Sequence, residues 1–269
     1  MKKILILIFL LGLCFGSFCT PAFSQMLLQQ GKVNLSLDPG ETATGEVIIH
    51  NTKDQEISVK AYWQDFLYVP PFDGNKKFLS PGTSNRSCSN LVNFMPQEIT
   101  LGPYGKKAVS YSARLPEDAE DGYYGVLFFE DNSRDKKTAT GVTIVTRVGC
   151  LFFLEKNGAS KDAKVLDIAI AGNQLLGTIE NKSQIILIPR GIFYIMDDEG
   201  IVADRGEIEP FYLPPGESAP FFVDIANNIP GGNYTLILTF ELGEGDSFVE
   251  EVDFEKTKNS TFKILQVRD

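Results

Sequence analysis

Apolar and polar residues alternate in short runs along most of this chain, and glycine, proline, asparagine or aspartate separates one run from the next. Alternation with a period of two is typical of a β-strand that is buried on one side. Beyond the first 24 residues, no window has the spacing of three to four residues that an amphipathic helix requires. The pattern therefore predicts an all-β protein. The candidate strands of the first half are KVNLSL, TGEVIIHN, ISVKAYWQDF, NLVNFMPQEITL, KKAVSYSARL, GYYGVLFFED and GVTIVTRVGCLFFLEK, and those of the second half are VLDIAIAG, QLLGTIENK, RGIFYIMD, IVADRGEIE, APFFVDIA, NYTLILTFEL and STFKILQV.

The two halves of the chain share one order of turns and strands. Tyr123 opens an apolar strand 18 residues after Gly105, and Tyr234 opens another 18 residues after Gly216. In both halves a glycine turn comes first, then a strand, a loop that begins with proline, and a long apolar strand that begins near the tyrosine. The shared order indicates that the halves are related to each other.

An asparagine closes an earlier strand in each half. Asn51 lies 54 residues before the glycine of its turn, whereas Asn181 lies 35 residues before its own. The first half therefore has 19 more residues in this interval, which we place between Phe66 and Asn90. A repeat of this length indicates two duplicated domains, since solenoid repeats are much shorter.

The predicted architecture is two tandem immunoglobulin-like β-sandwiches. Strands at this spacing, separated by turns, are typical of such sandwiches. Residues 157–162 are polar, so we expect a linker there and place the domains at residues 25–157 and 158–269. The tyrosine that opens the penultimate strand of each domain fits either a tyrosine corner or a plain core aromatic. Trp63 is the candidate core anchor of the first sandwich.

The first 24 residues have the features of a secretory signal peptide. Lys2 and Lys3 precede a continuous apolar run, and the small residues Ala22 and Ser24 follow it. The run is short for a membrane span, so we expect cleavage after Ser24, a mature chain from Gln25 without a membrane span, and a periplasmic or secreted location. Cleavage moves the net charge from −10 to −12. This acidity disfavours nucleic acid as a partner, because its phosphates require basic patches.

The sequence offers little support for catalysis. His50 is the only histidine, which excludes multi-histidine metal sites, and none of the G-x-S-x-G, H-E-x-x-H or glycine-rich phosphate-loop motifs occurs. We therefore expect no enzyme activity, no cofactor and no metal. Removal of the signal peptide leaves two cysteines, Cys88 and Cys150. An oxidising compartment permits a disulfide between them, and burial as small apolar residues is the alternative.

Two features favour binding to another protein. The strand from Gly141 to Glu155 is largely apolar on both faces, so one face can fill its own core while the other, at a sheet edge, accepts a partner strand. Burial of both faces by the neighbouring domain is the alternative. The second feature is the interval between residues 66 and 90, whose aromatics either form an exposed recognition surface or fold down onto their own core. These aromatics are Phe66, Tyr68, Phe72 and Phe78.

Three segments of the first half resemble the N-terminal domain of the periplasmic pilus-assembly (fimbrial) chaperones. They are LDPGETATGEVIIHNTKDQEISVKAYW, FMPQEITLGPYGKKAVSYSARLPEDAEDGYYGVLFFE and GVTIVTRVGCLFFL. The resemblance covers roughly residues 30–156 and indicates a divergent branch of that family. It implies two immunoglobulin-like domains, with the last strand of the first domain lending apolar side chains to an incomplete pilin subunit. The implied donor residues are Val142, Ile144, Thr146 and Val148.

In that family an arginine of the first strand and a lysine of the last strand bind the terminal carboxylate of the subunit. In this chain the first strand offers Lys32. Matching the last strand places Gly149 at the position of the lysine, with Arg147 two residues earlier on the same face. The resemblance therefore implies Arg147 and Lys32 as the basic residues that contact the partner.

Sequence and resemblance together predict a periplasmic chaperone-like binding protein. Its partner is expected to be a secreted or surface β-rich, pilin-like subunit that it captures by edge-strand pairing. The alternative is a structural or adhesive envelope protein, in which the immunoglobulin-like domains are spacers and residues 66–90 form the contact surface.

Overall fold

The computed structural model describes residues 26–120, 122–132, 145–257, 259 and 261–268. The predicted signal peptide, residues 1–24, lies outside this part of the chain, as do Gln25, Val142 and Ile144. Every element in the described ranges is a β-strand, which confirms the predicted all-β class. Within the same ranges, no helix is long and apolar enough to span a membrane.

The first immunoglobulin-like sandwich contains strands β1 to β10. They are β1 (Met26–Leu28), β2 (Lys32–Leu37), β3 (Thr42–Asn51), β4 (Ile57–Tyr68), β5 (Lys76–Leu79), β6 (Val92–Met95), β7 (Glu98–Leu101), β8 (Lys106–Arg114), β9 (Gly122–Asp131) and β10 (Arg147–Lys156). One sheet has the order β1-β3-β8-β6, and the other has the order β2-β10-β9-β4-β5, with β7 also paired to β4. Trp63 is buried between these sheets, with its ring centroid 5.2 Å from that of Phe152. It is the core anchor expected from the sequence.

The second sandwich contains strands β11 to β18. They are β11 (Ala163–Ala171), β12 (Gln174–Asn181), β13 (Arg190–Asp197), β14 (Val202–Ile208), β15 (Ser218–Asp224), β16 (Gly232–Gly243), β17 (Asp246–Lys256) and β18 (Phe262–Arg268). A three-stranded sheet, β11-β12-β15, packs on a five-stranded sheet, β14-β13-β16-β17-β18. The polar stretch at residues 157–162 lies between β10 and β11. The domain boundary at residue 157 stays a prediction.

The asparagines that close β3 and β12 have equivalent contacts in the two sandwiches. The side-chain amide of Asn51 donates to the carbonyl of Gly102 at 2.9 Å, and that of Asn181 donates to the carbonyl of Leu213 at 2.8 Å. Each amide also donates to a carbonyl four residues further along the chain. A polar side chain that satisfies turn carbonyls in this way closes a strand without leaving buried groups unpaired. This shared role gives the internal repeat its physical basis.

The tyrosines of the repeat differ in detail. The hydroxyl of Tyr234 donates to the carbonyl of Pro230 at 2.9 Å, which is the contact of a tyrosine corner. Tyr123 packs, partly buried, against the core of the first sandwich. Its neighbour Tyr124 is buried on the other side of β9, in a cluster that includes the second sandwich.

The chain crosses from one sheet of the first sandwich to the other near its start. β1 pairs antiparallel with β3, whereas β2 pairs in parallel with β10 in the opposite sheet. The parallel ladder joins Lys32–Leu37 to Leu151–Lys156. The crossing therefore determines where along β10 a neighbouring strand begins.

One hydrophobic cluster contains buried side chains from both sandwiches. The first sandwich contributes the aromatics Phe66, Tyr68 and Phe72 at the end of β4 and in the turn that follows. The backbone N–H of Tyr212 donates to the carbonyl of Phe72 at 2.9 Å, and the rings of Tyr68 and Tyr212 lie 4.9 Å apart. The part of the extra segment around the β4–β5 hairpin is thus packed between the sandwiches.

Candidate functional site

The two ends of β10 have different neighbours. β9 pairs with β10 from Arg147 to Glu155, but β2 pairs with it only from Leu151 onward. Within the described residues, no strand pairs with the opposite side of β10 between Arg147 and Cys150, although β1 approaches β10 without pairing. This short stretch, which we call the open edge, therefore lacks a paired strand on one side.

The hydrogen bonds of β10 show which backbone groups point to the free side. The N–H of Leu151 donates to the carbonyl of Gly31 at 2.9 Å, on the side of β2. The carbonyl of Thr146 accepts from the N–H of Asp131 at 3.0 Å, on the side of β9. Because backbone groups alternate along a strand, Arg147 and Gly149 direct their N–H and carbonyl groups to the same side as Leu151. Among the described residues no strand pairs with these groups, so an added strand can pair with them.

The side chains of β10 alternate between the core and the outer face. Cys150 and Phe152 are fully buried in the core of the first sandwich. Val148 has the same parity and packs, half-buried, against that core, and Thr146 is also partly exposed. Of the implied donor row, Val148 lies within the open edge and Thr146 lies next to it, while Val142 and Ile144 lie outside the described residues.

Arg147 lies on the outer face, over an aromatic pair. Its guanidinium carbon is 4.3 Å from the ring centroid of Phe128 and 5.4 Å from that of Phe78. One guanidinium nitrogen donates to the side-chain oxygen of Gln64 at 3.5 Å, a weak contact. Cation–π contact on two rings holds the flexible arginine in place at modest cost in entropy. The structure thus brings together Arg147 and Phe78, which come from separate candidate regions of the sequence.

Tyr62 extends this outer face. Its hydroxyl donates to a carboxylate oxygen of Glu130 at 2.6 Å, and its ring lies 5.8 Å from that of Phe128. Desolvation and the hydrogen bond to Glu130 raise the pKa of Tyr62, so the phenol stays neutral. Sequence reasoning missed Tyr62 and Phe128. Phe128 lies in a continuous apolar run, where alternation does not tell the outer face from the core.

The other aromatics of the 66–90 interval do not form an exposed surface. Phe66, Tyr68 and Phe72 are each at most 5% exposed, whereas Phe78 is 37% exposed. The first three fill the cluster between the sandwiches, because burial of large aromatic rings stabilises more than their exposure. These three are thus folded down, but against the second sandwich and not onto the core of their own, and a surface role is left for Phe78.

Lys32 faces a cleft between the two sandwiches. The cleft encloses about 320 Å³ and is lined by residues of β2, β10, β13 and β16. The ammonium of Lys32 lies 3.7 Å from the ring centroid of Phe153. Burial lowers the pKa of Lys32, and the charge of Glu155 opposes this effect. Lys32 is therefore an exposed cation at the cleft that faces a carboxylate of its own chain.

A hydrogen-bond chain joins the sandwiches beside Lys32. The Tyr124 hydroxyl donates to a carboxylate oxygen of Glu155 at 3.0 Å and accepts from the backbone N–H of Ile186 at 2.8 Å. Burial raises the pKa of Glu155, while the bond from Tyr124 and the charge of Lys32 oppose that rise. Alternation along β10 predicts the face of Glu155, but only the approach of the second sandwich gives it this partner.

Lys32 and Arg147 do not converge. Lys32 is directly opposite Leu151, four residues from Arg147, and four residues of strand span about 13 Å. The contact with Phe153 turns the ammonium further away from Arg147. With their charged groups held over different rings, the two residues do not meet at one site in this structure.

Gly149 occupies the position at which the resemblance implies a lysine. A Cβ atom there would lie 2.8 Å from the Cγ2 of Val126 and 2.9 Å from a ring carbon of Phe128. Any side chain would have to displace these two neighbours, which line the outer face of β9. The departure from the family pattern therefore has a steric reason.

The two cysteines are buried and do not form a disulfide in this structure. Burial raises the pKa of the Cys150 thiol to about 12. Burial and the charge of Asp65 raise the pKa of the Cys88 thiol. Both thiols pack in the core of the first sandwich, as small apolar residues do. In the described ranges, no group of histidine, cysteine, aspartate or glutamate is arranged to hold a metal ion.

Comparison with known proteins shows similarity of fold without similarity of sequence. No family model matches the chain, and no curated protein matches it by sequence. Among solved structures, the chain is similar to a chain of a chaperone–tip adhesin complex of CFA/I fimbriae biogenesis, with a TM-score of 0.53 and 10% identity over 84% of this chain and 97% of the other. It is also similar to the class 5 fimbriae chaperone CfaA, with a TM-score of 0.52 and 11% identity over 83% and 97%. The predicted resemblance to fimbrial chaperones is thus confirmed for the two-domain fold.

Proposed function

We propose that this protein is a periplasmic chaperone-like binding protein that captures a secreted or surface β-rich subunit, of the pilin kind, by strand addition to β10. It binds its partner through main-chain hydrogen bonds and side-chain contacts, and it catalyses no reaction. The observation that carries the proposal is the open edge, where Arg147 and Gly149 present backbone groups beside the first residue of β2. An added strand would continue the sheet in the place that β2 leaves.

The surroundings of the open edge support this function. Val148 and Thr146 add half-exposed side chains on one face, and Arg147 with Phe78 adds a fixed cation and an aromatic ring on the other. Main-chain pairing gives affinity, and alternate side chains give specificity. Burial of Phe66, Tyr68 and Phe72 removes most of the aromatic surface that the alternative function, an adhesive spacer, requires.

Similarity of fold to CfaA, a fimbrial chaperone, and to a chain of a chaperone–adhesin complex is consistent with a subunit as partner. The partner's terminal carboxylate is not expected to bridge Lys32 and Arg147, because their backbone positions are about 13 Å apart along the sheet and their charged groups lie over different rings. We expect Arg147 alone to bind a carboxylate of the partner near the open edge.

The test compares two substitutions at one position. Arg147→Ala removes the guanidinium and keeps the backbone N–H, whereas Arg147→Pro also removes that N–H and places a ring at the free side. Loss of a charge-assisted bond is worth about 1.5–3 kcal/mol, or roughly ten- to a hundredfold in affinity. Arg147→Pro should weaken binding further, and it should fold because proline is tolerated at a sheet edge.

Binding is measured by co-purification and titration with β-rich surface subunits encoded by neighbouring genes. Backbone hydrogen exchange at Arg147 and Gly149 is recorded with and without the subunit. The expected result is slower exchange at both amides in the complex. Equal affinity of both variants and the unmodified protein, with both variants folded, would contradict the proposal.

A further inference from the structure

The outer face of the five-stranded sheet in the second sandwich carries an exposed apolar row. Ile192, Thr239 and Val249 are direct neighbours on β13, β16 and β17. Ile192 is 42% exposed and Val249 is 45% exposed. Tyr194, 37% exposed, continues the patch on the next outward position of β13. Ile192 and Val249, joined through the methyl-bearing Thr239 and with no partner element over them in the described residues, form a contiguous surface.

A groove lies at the end of this surface nearest Arg190 and Glu241. It encloses about 550 Å³ between β13, β14 and β16. Ile192, Ile208 and Pro210 supply its apolar part. The groove shares two lining residues, Arg190 and Glu241, with the cleft between the sandwiches. It thus begins where that cleft ends and leads onto the exposed apolar row.

Carboxylates dominate the rim of the groove. Glu207, Glu209 and Glu241 line it and are exposed, against the single cation Arg190. Glu241 is the register neighbour of Arg190 on β16, and Glu207 is that of Ile192 on β14. Among the described residues, none of the three carboxylates forms an ion pair within 4 Å. The rim is therefore negative, with three carboxylates to one cation.

We propose that this groove, which we call the acidic groove, docks an extended segment of a partner protein in which lysine or arginine alternates with apolar residues. A long basic side chain can lay its aliphatic stem on Ile192 and Pro210 while its charged head reaches Glu207 or Glu209. The apolar residues of the segment would cover the row toward Val249. The acidic groove lies on the other sandwich from the open edge of β10 and is independent of it.

The test uses a short synthetic peptide of alternating lysine and valine, blocked at both ends, with the full mature chain. Affinity is measured by titration, and its location by chemical-shift changes in the backbone spectrum. A triple variant, Glu207→Gln with Glu209→Gln and Glu241→Gln, should bind about tenfold more weakly. Ile192→Ser, which changes no charge, should also weaken binding because it removes apolar contact.

A control variant separates docking from general attraction to an acidic protein. Glu46→Gln with Glu56→Gln and Glu98→Gln removes the same charge from exposed positions of the first sandwich. The proposal expects this control to bind as the unmodified protein does. Equal weakening by the two triple variants, shift changes confined to β10, or association of the protein with itself through this face would overturn it.

Discussion

Along β10, residues Arg147–Gly149 and residues Leu151–Lys156 are placed differently although they belong to one strand. The first group pairs with β9 only and is partly exposed, whereas the second lies between β9 and β2. Phe153 and Glu155 in the second group also contact the second sandwich or its cleft. The comparison shows how one strand can be fixed by packing at one end and leave its other end to a partner.

The largest expected effect is a difference in the free energy of unfolding between variants at the two ends of β10. Phe153→Ala removes a buried ring that lies 5.1 Å from Tyr124 and 6.0 Å from Phe66, so it should lower the free energy of unfolding by about 3–5 kcal/mol. Val148→Ala removes a half-buried side chain at the open edge and should cost about 1 kcal/mol. Urea unfolding of both variants measures the difference. Similar losses would show that the two ends of β10 are equally fixed.

The next effect concerns the contact between the sandwiches. Tyr124→Phe leaves the N–H of Ile186 and the carboxylate of Glu155 without their shared partner, at a cost of about 1–3 kcal/mol. We expect limited proteolysis to cut first in the linker at residues 157–162, and to cut it faster in this variant. Tyr194→Phe, at an exposed hydroxyl on the second sandwich, is the matched control and should not change the rate. A linker that resists cleavage in every variant would contradict the predicted domain boundary.

The smallest effect is a dependence on pH at the fixed end of β10. Burial raises the pKa of Glu155 above its ordinary value of 4.5, so the folded protein binds this proton more readily than the unfolded chain does. The stability contribution of Glu155 should therefore fall as pH rises from 4.5 through the folded pKa. Glu155→Gln should gain stability relative to the unmodified protein over that window, as measured by urea unfolding at several pH values.

Glu244 provides a control with the opposite sign. A hydrogen bond from Lys161 lowers the pKa of Glu244, so its contribution is present above 4.5 and is lost as pH falls through the folded pKa. Glu244→Gln should therefore lose stability relative to the unmodified protein as pH rises. If both variants change in the same direction, burial is not the dominant cause at Glu155.

The class of fold follows from the sequence because burial on one side of a strand imposes alternation. The internal repeat could also be predicted from the sequence, since Asn51 and Asn181 satisfy turn carbonyls at the same place in each sandwich. The faces of β10 follow from parity once Cys150 is placed in the core. These features depend on local spacing, which the sequence displays directly.

Contacts between distant segments could not be predicted in the same way. Nothing in the spacing of the sequence indicates that β2 joins β10 only from Leu151, because strand pairing depends on where the chain crosses between sheets. The burial of Phe66 and Tyr68 depends on the second sandwich, which approaches them from far along the chain. The proximity of Arg147 to Phe78 likewise depends on the order of strands in one sheet.

The crossing from β1 to β2 has a consequence for selectivity. On the proposed function, a captured strand that slides along β10 toward the cleft meets the backbone of Gly31 and Lys32, which already occupy the ladder at Leu151. The backbone of Gly31 and Lys32 therefore prevents the captured strand from sliding further toward the cleft. A shift by one residue would exchange the two faces of the captured strand, so a fixed limit favours a single alignment. The position of Gly31 and Lys32 thereby fixes the register in which a captured strand pairs with β10.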